Sequence, residues 1–272
     1  MTSIDIAPAS IVRHLYKSRL SCADFQSQAI IDSIHISTPV EDKIILAAKE
    51  KKIVFATGNP GDGKTHLIRK VQEEFPKDVE VILDANEKDD AYLVKSIEKA
   101  FNDGPGLVMA INEGILLDLC EKVKSKTLWA ESVINMILKP YVYDDSDVKE
   151  GGKLLVLDLS LRNNLSPKVV EQAIDKIVFL ATTESDEKLQ YNIQSLQNPI
   201  VKARMTTLLD AVGRTGFHST MRDLFGFLSF LVCGGEDVNE EGFSKPYYVN
   251  AFEGGIGALF DQVRDFDPIY MP

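Results

Sequence analysis

The sequence predicts an α/β fold with a mostly parallel sheet, followed by a small helical domain. Three observations predict it. Short apolar runs recur at residues 53–56, 79–84, 106–113 and 154–159. The first, Ile53 to Ala56, lacks polar alternation, which is the pattern of strands buried on both faces. Helical spacing fills the intervals between them, a β-α-β-α-β-α-β order that requires crossover connections. From about residue 186 strand-like runs cease and helical spacing continues alone.

In chain order, residues 9–35 read as helical, with Ile11, Val12, Leu15 and Tyr16, then Phe25, Ala29 and Ile30, at helical spacing. Thr38-Pro39-Val40-Glu41 is a helix start. Thr38 can cap, Pro39 suits the first turn, and Glu41 can reach back. Ile53 to Ala56 is the first strand. The next helix carries Leu67, Ile68, Val71 and Phe75 on one face and stops before Pro76. A second strand, Val79 to Asp84, leads to a helix around Leu93, Val94, Ile97 and Phe101. A third strand, LVMAINE, leads to helical stretches around Ile115–Val123 and Val133–Leu138. The acidic stretch DDSDVKEGG reads as a loop before the fourth strand, and Ser166-Pro167 starts another helix. The resulting boundaries are 1–37 for an N-terminal helical linker, 38–185 for the α/β domain, 186–235 for the helical domain and 236–272 for a tail. That tail is rich in aromatics and glycines and has no terminal cap, so it reads as the start of a further domain.

Composition narrows the function. The 272 residues are 44% hydrophobic and 26% charged, ordinary for a globular chain. A net charge of −11 gives no global attraction for a phosphate backbone. Any DNA contact then requires a local basic patch or a partner. The start MTSIDIAPAS lacks the features of a signal peptide. No apolar run approaches the roughly 20 residues that cross a bilayer. Cys22, Cys120 and Cys233 match no metal spacing. These features predict a cytoplasmic protein without disulfides or membrane association.

The stretch between the first strand and its helix carries the chemistry. Gly58-Asn59-Pro60-Gly61-Asp62-Gly63-Lys64-Thr65 fits G-x-x-x-x-G-K-[ST], the phosphate-binding P-loop. Its glycines let backbone N–H groups converge on phosphate oxygens without a Cβ in the way. The helix that follows aims its free N–H groups and positive dipole end at the anion. Lys64 brings a charge to the β- and γ-phosphates, and the Thr65 hydroxyl can ligate Mg²⁺. The motif and its strand-loop-helix context agree, which a solvated glycine turn does not require. The expected cofactors are ATP and Mg²⁺, bound by residues 58–65 together with His66.

Hydrolysis requires an acidic group at the end of another strand. Asp84 ends VEVILD, but follows the loop's helix so closely that an edge strand is expected there. Asn112-Glu113 ends LVMAINE, about 48 positions after Lys64, with Asn112 at the metal position. Asp158 ends KLLVLD, a second candidate for metal binding. Glu113 is the favoured base. The plainer alternative is that Asn112-Glu113 caps the helix that follows. With Glu113 as base, Asp158, Ser160 and Asn163 lie on the neighbouring strand, where a polar residue senses the γ-phosphate. In FHSTMRDLFGFL, Thr220 and Asp223 form a capping box, which puts Arg222 in a first helical turn. An arginine there opposes the helix dipole. A phosphate would reward it, and so would a surface ion pair.

Together these residues resemble an AAA+ ATPase, a P-loop α/β domain followed by a helical lid. The resemblance covers about residues 34–235. STMRDL resembles the family's sensor-2 motif, which implies that Arg222 contacts the γ-phosphate and that Asn163 or Ser160 lies near the sensor-1 position. Asn112 departs from the family's usual Asp. The arginine finger stays open among Arg162, Arg204 and Arg214. The segments GNPGDGKTHLI, DANE, AINEGIL, LDLSLRN and YYVNAFEGG also resemble the DptF family. These are ATPase subunits of DNA phosphorothioation-dependent restriction systems, related to other bacterial antiphage ATPases. That resemblance implies a defence ATPase working with protein partner subunits, in a homo-oligomer or a mixed complex, with DNA reached through those partners. It also implies that residues 34–36, including His35, help hold the adenine, although His35 reads equally well as core.

Three functions fit. One is an ATPase motor or switch. The second is a nucleotide-gated scaffold with little hydrolysis, which the neutral Asn112 and the aromatic tail favour. The third, a small-molecule kinase, lacks an arginine-rich lid and an acceptor pocket signature.

Overall fold

The computed structural model describes residues 8–16, 22–102, 104–138, 148–182, 187–233 and 257–265. The chain divides into two units, one from the described parts of Met1–Ile36 and Asn163–Pro272, the other from Ser37–Arg162. Each is taken by itself.

The first described residues form α1 (Pro8–His14) and α2 (Gln28–Ile34), where helical spacing predicts one long stretch. A 3₁₀ turn at Ala23–Phe25 intervenes, and Ser27 restarts the helix by accepting a bond from Ile30 N. Ser27 is a capping signal inside that expected helix.

The Ser37–Arg162 unit is a sheet covered on both faces. α3 (Val40–Lys49) opens it. Here the side chain of Glu41 accepts from Thr38 N at 2.7 Å, the backward half of the expected capping box. Four strands follow, β1 (Ile53–Thr57), β2 (Glu80–Ile82), β3 (Leu107–Ala110) and, after an edge strand β4 (Val148–Gly151), β5 (Leu154–Asp158). The spatial order is β2-β3-β1-β5-β4. β2, β3, β1 and β5 are parallel, as predicted, and β4 is antiparallel to β5.

The helices of this unit are α4 (Lys64–Val71), α5 (Asp90–Phe101), α6 (Glu113–Val123) and α7 (Leu128–Leu138). The alternation of strand side chains assigns them to two layers. Phe55, Met109 and Val156 pack with Leu93 and Ile97 of α5, Leu116 of α6 and Trp129 of α7. Val54, Ala56, Val108 and Leu155 pack with Ile44 of α3 and Leu67 and Ile68 of α4. A strand covered on both faces has no solvent side to mark with polar residues, so β1 and β3 are buried throughout.

β4 corrects the sequence reading. Part of the expected acidic loop, VKEG, pairs with β5 through a two-residue turn at Gly152-Lys153. Gly152 takes φ +59, which suits glycine at the first position of such a turn. An edge strand pairs on one side only, so a polar sequence without alternation suffices. Residues 144–147 of that loop lie outside the described residues.

The other unit is helical. It contains α1, α2, α8 (Pro167–Ala181), α9 (Glu187–Gln197), α10 (Pro199–Arg214), α11 (Met221–Cys233) and α12 (Ala258–Asp265). Its core joins Ile11, Val12 and Leu15 of the N-terminal segment to Ile174 and Ile177 of α8, Leu209 and Val212 of α10 and Phe227 and Leu231 of α11. The N-terminal segment, expected as a linker, is therefore part of a core. α8, grouped by sequence with the α/β domain, packs here as well. Leu259, Phe260 and Val263 of α12 join the same core. The rest of the expected tail lies outside the described residues.

Candidate functional site

Parallel strands end on one edge of their sheet, and ligands of open α/β sheets bind there. That edge carries the 58–65 loop after β1, Asp84 after β2, Asn112 and Glu113 after β3, and Asp158 at the end of β5. β1 lies between the neighbours on which the chain builds the two sides of the sheet, with β3 on one side and β5 on the other. The register runs into the loop. Ile111 N donates to Ala56 O at 3.1 Å, and Thr57 is the register partner of Asp158.

The loop has the conformation its glycines permit. Gly58, Gly61 and Gly63 take φ of +132, +101 and +93, a region that L side chains rarely enter. At Gly58 space is limiting too. A Cβ there would lie 2.9 Å from Asp62 Oδ2 and 3.2 Å from Ser160 N. Gly63 is the residue before α4, so the loop leads straight into a helix N-terminus. Lys64 is nearly buried, and its ammonium donates to Gly58 O and Asn59 O, both at 2.9 Å. Two carbonyl acceptors hold the charge inside the curve of the loop, which offsets its desolvation. Thr57, Asp62 and Asp158 are buried polar neighbours at the same edge.

Thr65 marks a second strand end. Its hydroxyl donates to Leu83 O at 3.1 Å, one residue before Asp84. Asp84 caps a 3₁₀ turn by accepting from Asn86 N at 2.8 Å. β2 is an edge strand, as expected, and that expectation is what set Asp84 aside. VEVILD shares the hydrophobic-run-then-Asp pattern with KLLVLD.

Asn112 and Glu113 begin a helix rather than end a strand. β3 stops at Ala110, Asn112 precedes α6 without a side-chain cap bond, and Glu113 is the first residue of α6. Asp158 is bound locally, accepting from Ser160 N at 3.0 Å and Ser160 Oγ at 2.6 Å. His66 follows Thr65 in the first turn of α4.

Asn163 and Arg222 belong to the helical unit. Asn163 Oδ1 accepts from Leu165 N at 3.1 Å and lies 3.0 Å from where a Cβ on Gly213 would sit. Arg222 is in the first turn of α11, whose capping box forms in full. Thr220 N donates to Asp223 Oδ2 at 3.0 Å, and Asp223 N donates to Thr220 Oγ1 at 3.1 Å. His35, buried, ends α2.

No family model matches the chain, and neither the curated proteins nor the solved structures give a match. No helix among the described residues is long and apolar enough to cross a membrane.

Proposed function

We propose that the 58–65 loop is a P-loop that binds ATP with Mg²⁺, and that the chain hydrolyses it. The observation that carries this reading is the loop's geometry. Three glycines at positive φ curve the backbone around the Lys64 ammonium, between a buried parallel strand and a helix N-terminus. That donor set fits a polyphosphate. The loop leads into the N-terminus of α4, where free backbone N–H groups and the helix dipole favour negative charge. Lys64 would exchange its carbonyl acceptors for the β- and γ-phosphates.

Mg²⁺ keeps most of its waters and takes few protein ligands, and when bound it neutralises charge on the phosphates. Thr65 would hold it directly. Asp84, next to the carbonyl that Thr65 bonds, is favoured over Asn112 and Asp158 to order its waters. Glu113 remains the proposed base, with Asp84 as its rival. The AAA+ resemblance implies γ-phosphate roles for Arg222 and Asn163. The DptF resemblance extends the proposal to a cytoplasmic defence ATPase with partner subunits. A nucleotide-gated scaffold is the second reading, favoured by Asn112, which brings no charge to the end of β3.

The test is ATP binding and turnover by wild type, Asp84→Ala and Glu113→Gln. Asp84→Ala is expected to lose Mg²⁺-dependent turnover by on the order of 10²-fold. Glu113→Gln is expected to bind normally and turn over poorly. Full activity in Glu113→Gln removes that residue as base, and binding without turnover in wild type favours the scaffold.

A further inference from the structure

Asp62 places a buried carboxylate inside a loop that is proposed to hold phosphate, where a negative charge opposes the ligand. Its geometry gives a reason for it to be there. Asn59-Pro60-Gly61-Asp62 has the signature of a type II turn, with proline second and a glycine of positive φ third. Asp62 N donates to Asn59 O at 3.2 Å, closing the turn. The side chain closes it again in the opposite direction, because Asn59 N donates to Asp62 Oδ2 at 2.6 Å. Asn59 O also accepts from the Lys64 ammonium. Two reciprocal bonds and a lysine thus hold four residues in one shape without a ligand. Asp62 itself is 2% exposed.

We propose that Asp62 is a positioning residue that folds the phosphate loop before ligand arrives and withholds the Asn59 N–H from the ligand. This rests on the reading of residues 58–65 as a nucleotide site. A loop shaped in advance pays less ordering entropy on binding. The carboxylate's repulsion of phosphate is offset by the positive charge of Lys64 in the same loop, which bonds Asn59 O before ligand arrives and would turn to the phosphates after it. What binding needs from position 62 is the hydrogen-bond acceptor, not the charge. The neighbouring Gly58 supports this. Its missing Cβ leaves the room that Asp62 Oδ2 occupies, 2.9 Å from the position such an atom would take.

The experiment compares wild type, Asp62→Asn and Asp62→Ala, using Mg·ADP titration, amide hydrogen exchange at Asn59 without nucleotide, and thermal melting. Asp62→Asn keeps an acceptor of the same shape. It should bind Mg·ADP within about threefold of wild type and keep the Asn59 amide protected. Asp62→Ala should bind about tenfold more weakly, the loss expected for a loop that must order on binding. Its Asn59 amide should exchange quickly, while its melting temperature stays close to that of wild type. Wild-type affinity in Asp62→Ala overturns the proposal. So does Asp62→Asn binding as poorly as Asp62→Ala, which would make the charge essential. Much tighter binding by Asp62→Asn also overturns it, since the carboxylate would then be a competitor. If wild type binds no nucleotide while the exchange pattern holds, the nucleotide reading fails and the loop brace stands. If wild type binds but Asn59 is unprotected, the brace fails and the nucleotide reading stands.

Discussion

The sheet unit and the helical unit are specified in different ways. In the sheet unit, the part proposed to act is local in sequence. Eight consecutive residues, Gly58 to Thr65, contain the glycines, the lysine and the hydroxyl, and their conformation follows from which of them are glycine. In the helical unit the core is not local. Val12 packs in the same core as Ile174, Phe227 and Phe260, and Ser229 Oγ bonds Val12 O across 217 positions of sequence. A local motif can be read without knowing the fold. A core assembled from four distant segments cannot.

This contrast predicts that stability and binding can be broken separately. Phe227→Ala removes a fully buried ring from the helical core and should cost about 3–5 kcal/mol. Thermal unfolding should show that loss in the helical unit, while nucleotide binding by the sheet unit persists below the transition. If binding falls in step with the melting of the helical unit, the nucleotide site is not confined to the sheet unit. Gly58→Ala is the opposite case. Strain at φ +132 and the clash with Asp62 Oδ2 should cost about 1–3 kcal/mol, yet binding should be lost. Binding that survives Gly58→Ala would mean the loop has more room than its geometry implies.

The smallest expected effect concerns Cys120 on α6, in the sheet core. Burial chiefly, with the nearby Glu121 charge, raises its thiol to about 12. Cys22, partly exposed, should alkylate at pH 8 while Cys120 stays protected. The sign for stability follows. The folded state holds the proton longer than the unfolded chain, whose thiol titrates near 8.5. The Cys120 contribution is therefore complete below that value and is lost as pH rises toward 12. Urea titrations between pH 8 and 10, with Cys120→Ala as reference, would detect it. A flat difference would mean the thiol is hydrated.

The sequence made the four parallel strands and the loop legible because each is a contiguous pattern. β4 was hidden because VKEG is short and polar and sits inside an acidic stretch. The break between α1 and α2 was hidden because Ser27 interrupts a spacing that remains helical on both sides. The grouping of α8 with the N-terminal helices was hidden because Ile174 and Ile177 read as amphipathic whichever core they meet. At the site, chain distance favoured Asn112-Glu113, and the bond from Thr65 to Leu83 ranks Asp84 above Asn112 as the proposed metal partner. Side-chain geometry supplied that ranking, which spacing alone did not contain.

The central claim is that Lys64 and its loop form a nucleotide site. Its most direct test is equilibrium binding of Mg·ATP to wild type and Lys64→Ala, with melting measured on the same samples. The account predicts saturable binding by wild type, at least about tenfold weaker in Lys64→Ala because a charge-assisted contact worth 1.5 kcal/mol or more is lost, with nearly equal melting temperatures. Equal binding by the two proteins, or none by a folded wild type, would contradict it.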